Sequence, residues 1–115
     1  MTDFEVMIDN IMKPTEDLLP EINVMFFWAD WCSHCGNADM DRIHFQEKYN
    51  GQIIDGYKIK CTVYNETTDQ EQMTKYGITC FPTIIALKDS TQVELNGKIN
   101  ESSLEEFLQH LTTSA

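Results

Sequence analysis

The strongest constraint on the fold of this chain is an apolar run that leads directly into two closely spaced cysteines. Residues 22–28 read INVMFFW, which has no charged residue and many β-forming side chains. This composition is typical of a buried strand at the centre of a sheet. Cys32 follows four residues later, and the stretch after it has the scattered apolar positions of a surface helix, with Gly51 as its stop signal. We therefore predict a strand, a Cys-x-x-Cys turn and a helix, in that order.

The rest of the chain contains further strand and helix patterns. Residues 57–63 predict a strand, residues 69–77 a short helix closed by glycine, and residues 83–89 and 91–95 a hairpin around Asp89 and Ser90. Apolar residues at helical spacing predict two terminal helices. These positions are Phe4, Ile8, Ile11 and Met12, followed by Pro14, and Leu104, Phe107, Leu108 and Leu111.

Two boundaries in these terminal helices are open. Residues 4–8, FEVMI, also fit a strand. The last helix begins either at an Asn100 cap or, two residues later, at a capping box formed by Ser102 and Glu105.

The order of these elements predicts one α/β domain over residues 1–115. Alternating strands and helices imply parallel strands, and the late hairpin adds an antiparallel part. We expect a central mixed sheet with helices on both faces, with the strand at residues 22–28 in its middle.

Charge and hydropathy exclude several classes of function. Eight basic and nineteen acidic side chains give a net charge of −11, so nucleic acid and anionic membranes are not expected partners. No apolar run approaches the roughly 20 residues of a membrane span. The N-terminal residues lack the pattern of a secretory signal, which predicts a cytoplasmic protein.

Cys32 and Cys35 can form a structural disulfide, a metal clip or a working dithiol. In a cytoplasmic chain, this spacing beside a strand–helix pattern favours redox chemistry or metal binding. At a helix start, backbone N–H groups and the helix dipole favour thiolate at Cys32. Cys32 would then be an exposed nucleophile, and Cys35, one turn further, the thiol that resolves the mixed disulfide.

His34 lies between the two cysteines, where its imidazole can bring positive charge near the Cys32 sulfur. Such a charge stabilises the thiolate and makes the pair a stronger oxidant. The alternative is an exposed histidine with no role. A metal site from Cys32, Cys35, His34 and His44 is a competing hypothesis. The chain has no second Cys-x-x-Cys to complete a zinc site, so it would need a dimer. We therefore expect no metal and no cofactor other than a Cys32–Cys35 disulfide.

Three segments resemble the thioredoxin family in the same order: FFWADWCSHC, KYGITCFPT and NGKINESSLEEFL. The resemblance implies a thioredoxin-like fold. It places Trp31 beside the redox pair and implies a cis peptide bond at Pro82. Phe81, Pro82 and Thr83 would hold the substrate backbone, and Gly97 would let substrate approach from the other side. Trp28 matches the second tryptophan of bacterial-type thioredoxins.

A second resemblance is to the catalytic domains of protein disulfide isomerase. Those domains carry a histidine before the second cysteine, as His34 does, and a Cys-Thr pair like Cys61–Thr62. Thioredoxins usually carry Gly-Pro between the cysteines. The resemblance implies an oxidoreductase that acts on protein thiols and disulfides. The alternative is a non-catalytic or metal-binding module on the same fold.

The resemblance also implies partners, and this chain departs from the family pattern at two positions. A thioredoxin reductase or the glutathione system would exchange electrons with the pair, and a monomer is expected, with Cys80 available for dimer formation. The family buries an acidic residue six positions before the first cysteine, where this chain has Phe26. It also has a kink proline where this chain has Met40. Cys61, within a strand, is predicted to be an inert core residue.

Overall fold

The computed structural model describes residues 18–113, and the predicted N-terminal helix at residues 4–12 lies outside this range. Eight elements follow one another in the described residues. They are β1 (Glu21–Trp28), α1 (Ser33–Tyr49), β2 (Ile53–Ile54), β3 (Tyr57–Asn65), α2 (Gln70–Lys75), β4 (Thr83–Lys88), β5 (Thr91–Glu94) and α3 (Glu101–Thr113).

The strands form one mixed sheet in the order β2-β3-β1-β4-β5. β1 pairs in parallel with β3 and antiparallel with β4, while β2 and β5 are antiparallel edge strands. The predicted mixed sheet with β1 at its centre is confirmed. The extent of the domain over residues 1–115 stays a prediction.

β1 is buried on both faces, which explains why its apolar residues run on without alternation. On one face Val24 and Phe26 pack in the core with residues of α1 and α3, including Phe45 and Leu104. On the other face Met25 and Phe27 pack with Met73 of α2 and with Ile85. The sheet therefore has helices on both faces, as predicted, and the strand that leads into Cys32 is packed between them.

The last helix begins as the first of the two alternatives predicts. The Asn100 side-chain oxygen accepts a hydrogen bond from the Ser103 backbone at 2.8 Å, and the Ser103 hydroxyl accepts one from the Asn100 backbone at 2.9 Å. A capping box that starts at Ser102 is therefore wrong. All four predicted apolar residues of this helix, Leu104, Phe107, Leu108 and Leu111, are buried.

Two tight turns close the edges of the sheet. Asp89 and Ser90 have positive φ angles of 48° and 71° and join β4 to β5, as predicted. The hairpin of β2 and β3 was not predicted from the sequence. Asp55 and Gly56, with φ angles of 51° and 84°, form its turn, and an Asp-Gly pair is a strong hairpin signal. β2 has only two residues, so it carries no strand pattern of its own.

Within residues 18–113, no helix has the length and apolar character that crossing a membrane requires.

Candidate active site

Cys32 is the N-cap residue of α1 and follows the end of β1 by four residues. Its backbone is extended (φ −87°, ψ 114°), and its sulfur accepts a hydrogen bond from the Cys35 backbone N–H at 3.2 Å. This bond occupies one of the unpaired N–H groups of the first helical turn. The same donor would stabilise a negative charge on the sulfur, as the sequence predicts for a nucleophile at a helix start.

The sequence predicts an exposed nucleophile at Cys32, and the structure corrects this prediction, because Cys32 is buried. Only 8% of the residue is exposed. Its thiol donates a hydrogen bond to the Phe81 carbonyl oxygen at 3.4 Å. The loop before β4 therefore lies directly against the sulfur, and the Phe81–Pro82 peptide bond in this loop is cis.

Cys35 is the inner thiol of the pair, with 1% of the residue exposed. Burial is the largest of the effects that raise the pKa of the Cys35 thiol to about 12. A hydrogen bond with Cys32 and the charges of Cys32 and Asp39 act in the same direction, and a hydrogen bond with the Ala29 backbone acts against them. The two sulfurs are therefore placed differently: one caps the helix beside a loop carbonyl, and the other is sealed in the core.

Three aromatic residues, Phe26, Trp28 and Phe45, belong to the same buried cluster as Cys32 and Cys35, and we call them the aromatic floor of the site. Phe26 is completely buried, and its ring meets the rings of Trp28 and Phe45 edge-on, with centroids 6.0 Å away in each case. The residue in the place of the family's buried acid is thus part of a packed apolar cluster.

The two tryptophans have different environments. Trp31 is 70% exposed; its Nε1 donates to Glu66 at 3.1 Å, and its ring meets Phe81 edge-on at 5.7 Å. Trp28 is buried, and its Nε1 donates to Asp39 at 2.7 Å. Asp39 and Glu66 were not singled out from the sequence. For Asp39 a signal existed, since it follows Cys35 by four residues on one helix.

A groove of about 600 Å³ lies on one side of the site. His34, Phe81, Pro82 and Gly97 all line it, so the structure brings together four residues that the sequence singles out. Thr83 is not among the lining residues; its hydroxyl donates to the Cys80 carbonyl at 2.7 Å.

His34 is exposed, and its imidazole has no hydrogen bond or ion pair with any residue of the described part. A positive charge on this ring would therefore act on Cys32 through space and not through a direct bond. Its role in the redox pair stays a prediction.

The other two cysteines lie apart from this pair. Cys61 is partly buried within β3, and burial raises its pKa to about 12, which disfavours the reactive thiolate. Cys80 is exposed on the loop before β4. Among residues 18–113, no three His, Cys, Asp or Glu side chains lie together in a way that can hold a metal ion.

Comparisons with known proteins agree with this geometry. The thioredoxin family model matches residues 9–110. Residues of this chain are 27% identical to probable protein disulfide-isomerase A4 of Caenorhabditis elegans over 77 residues, which is 67% of this chain and 12% of that protein. They are 30% identical to chloroplastic thioredoxin M-type of Pisum sativum over 84 residues, 72% of this chain and 45% of that protein. The chain thus spans less than half of either relative.

Solved structures share the fold. The first two thioredoxin domains of Naumovozyma dairenensis Eps1p superpose with a TM-score of 0.71 at 17% identity, over 87% of this chain and 38% of that one. Because the family model covers nearly all of the sequence, and the strand, the cysteine pair and the Pro82 loop meet in one site, this chain belongs to the thioredoxin family.

Proposed function

We propose that this chain is a thiol–disulfide oxidoreductase that acts on protein disulfides and dithiols. Cys32 attacks a substrate disulfide, and Cys35 then resolves the mixed disulfide, which leaves a Cys32–Cys35 disulfide in the enzyme. The observation that supports this most directly is the contrast between the two thiols. Cys32 caps α1, bonds the Phe81 carbonyl and is 8% exposed, whereas Cys35, one turn further along, is only 1% exposed.

The loop beside Cys32 supports a protein as the substrate. The Phe81 carbonyl lies within 3.4 Å of the sulfur, on the loop that leads into β4. Backbone groups at such a position can pair with an extended substrate segment. The groove at His34 and Gly97 offers room for side chains next to the substrate cysteine.

Two alternatives receive less support. A metal-binding module needs four ligands in a closed zinc site, and within the described residues no such group of side chains is present. A non-catalytic module would have no need for two free thiols at a helix start. A cytoplasmic location, a monomer and electron exchange with a thioredoxin reductase or glutathione stay predictions.

With Cys32→Ser, the rate at which dithiothreitol reduces insulin disulfides is expected to fall to the uncatalysed rate, because the attacking thiolate is lost. The measurement is insulin turbidity at neutral pH. Cys80→Ser is the matched control, since it makes the same chemical change at an exposed thiol. Wild-type activity that survives Cys32→Ser would contradict the proposed function.

His34→Ala is expected to make the potential of the cysteine pair more negative, because the variant loses a charge that stabilises the reduced thiolate. Thioredoxin and the isomerase differ by about 90 mV, or roughly 4 kcal/mol. Since His34 has no direct bond to Cys32, we expect about 30 mV, or about 1.4 kcal/mol. Equilibration with glutathione buffers, read by mass after thiol trapping, measures this. An unchanged potential would contradict a role of His34 in setting the potential, and other residues would then determine the direction of electron flow.

A further inference from the structure

Cys35 has to lose its proton before it can release a substrate, and its surroundings make this costly. In the free dithiol, burial raises the pKa of this thiol to about 12, and burial also disfavours the thiolate once Cys32 is bonded to a substrate. Phe26, completely buried within the aromatic floor, offers no group to accept the proton. A proton acceptor for Cys35 therefore has to come from another part of the site.

Asp39 is the first acidic residue after this thiol along α1. It follows Cys35 by four residues on α1, so the two side chains are on one face of the helix, with Cβ atoms roughly 6 Å apart. The negative charge of Asp39 acts on Cys35 and contributes to its raised pKa. Within the described residues, the only other charge that acts on Cys35 in this way is that of Cys32.

The Asp39 carboxylate is held in a defined orientation. The Trp28 indole donates to Oδ1 at 2.7 Å, and the Arg42 guanidinium donates to the same oxygen at 3.4 Å. Arg42 itself lies over the Trp28 ring, 5.1 Å from its centroid. Both donors bond Oδ1, so Oδ2 keeps its lone pairs unused by any residue of the described part.

Asp39 also has access to solvent. Its side chain is 45% exposed, in contrast to the sealed Cys35 thiol. A carboxylate in this position can take a proton from the interior and return it to water. It connects a buried group with the surface.

We propose that Asp39 is the proton acceptor for Cys35 in this chain, an inference that rests on the proposed function. The proton of Cys35 passes to Asp39 Oδ2, directly or through one water. The Cys35 sulfur then attacks the Cys32 sulfur, and the bond from Cys32 to the substrate sulfur breaks. The substrate sulfur leaves as a thiolate and takes a proton from water. The two cysteines are oxidised, the substrate disulfide is reduced, and Asp39 releases its proton to solvent.

Other charged groups near this face affect the pH dependence. Arg42 contacts Asp39 directly, while His34, Asp41 and Lys98 line the groove beside Pro82. All four groups are present in the wild type and in the variant. The test therefore compares the two proteins at each pH.

The experiment follows stopped-flow release of thionitrobenzoate from 5,5′-dithiobis(2-nitrobenzoate), with Cys80→Ser as the background so that the exposed thiol does not react. The first phase is attack by Cys32, and the second is release by Cys35. Asp39→Asn is expected to slow the second phase about 10-fold or more at pH 7 and leave the first unchanged. The variant's second phase should then rise about 10-fold for each pH unit, because only hydroxide ionises Cys35.

A faster second phase in Asp39→Asn overturns the proposal. If Asp39 acts only as a charge, its removal lowers the pKa of Cys35 and the second phase becomes faster. An unchanged second phase also overturns it. Asp39→Glu should recover part of the rate; a glutamate variant as slow as Asp39→Asn would indicate a packing defect instead. Glu47→Gln, the same change at an exposed position of α1, is the matched control.

Failure of the proposed function gives a different result. It would appear as a missing first or second phase in the Cys80→Ser background itself. Two normal phases that Asp39→Asn does not alter would overturn the assignment of Asp39 alone.

Discussion

Replacing Cys35 with serine is expected to trap this protein in a covalent complex with its substrates. Cys32 keeps its place at the helix N-cap and its bond to the Phe81 carbonyl, so it still attacks a disulfide. A serine hydroxyl cannot attack the mixed disulfide, so release should slow by about 100-fold or more. Non-reducing gels and intact mass after mixing with disulfide-bonded insulin or a disulfide peptide measure the adduct.

The substitution also places a hydroxyl in a site that is 1% exposed. An unsatisfied buried hydroxyl costs about 1–3 kcal/mol, so Cys35→Ala serves as a second trapping variant. The adduct must disappear when Cys32→Ser is added and persist when Cys80→Ser is added. An adduct that is released at the wild-type rate would contradict a resolving role for Cys35.

The sheet was predictable because β1 has an unmistakable composition. An uncharged seven-residue apolar run has to be buried on both faces, which places it at the centre and makes helices on both sides necessary. The last helix was predictable from its apolar spacing and its Asn100 cap. By contrast, β2 is too short to show the alternation of a strand, and only the Asp55–Gly56 turn indicates it.

The site was predictable in its cysteines and less so in its surroundings. The strand pattern before the cysteines and the helix pattern after them place Cys32 and Cys35 at a helix start, and the resemblance places the Pro82 loop beside them. Spacing does not give exposure, because coverage of Cys32 comes from a loop about fifty residues away in sequence. For the same reason, the bond from Trp28 to Asp39 could not be inferred from either residue. It depends on the angle at which α1 crosses β1.

Restoring the family's acid by Phe26→Asp is expected to destabilise this chain strongly. Phe26 is completely buried, and its ring meets those of Trp28 and Phe45. Loss of a core phenylalanine costs about 3–5 kcal/mol, and an unpaired buried carboxylate adds to this. We expect a loss of at least about 4 kcal/mol, or a fall in Tm of about 15 °C or more. Thermal and urea unfolding followed by circular dichroism measure both.

Phe26→Leu is the control, because it keeps an apolar side chain and should cost only about 1.5 kcal/mol. A domain of this size has about 5–15 kcal/mol of stability to lose, so the two variants should separate clearly. A Phe26→Asp protein as stable as the wild type would mean that the core cluster that contains Cys35 accepts a carboxylate. The aromatic floor would then be no obstacle to a buried acid. The strong destabilisation that we expect would mean that packing excludes an acid at this position, so that a proton acceptor for Cys35 has to lie outside the aromatic floor, as we propose for Asp39.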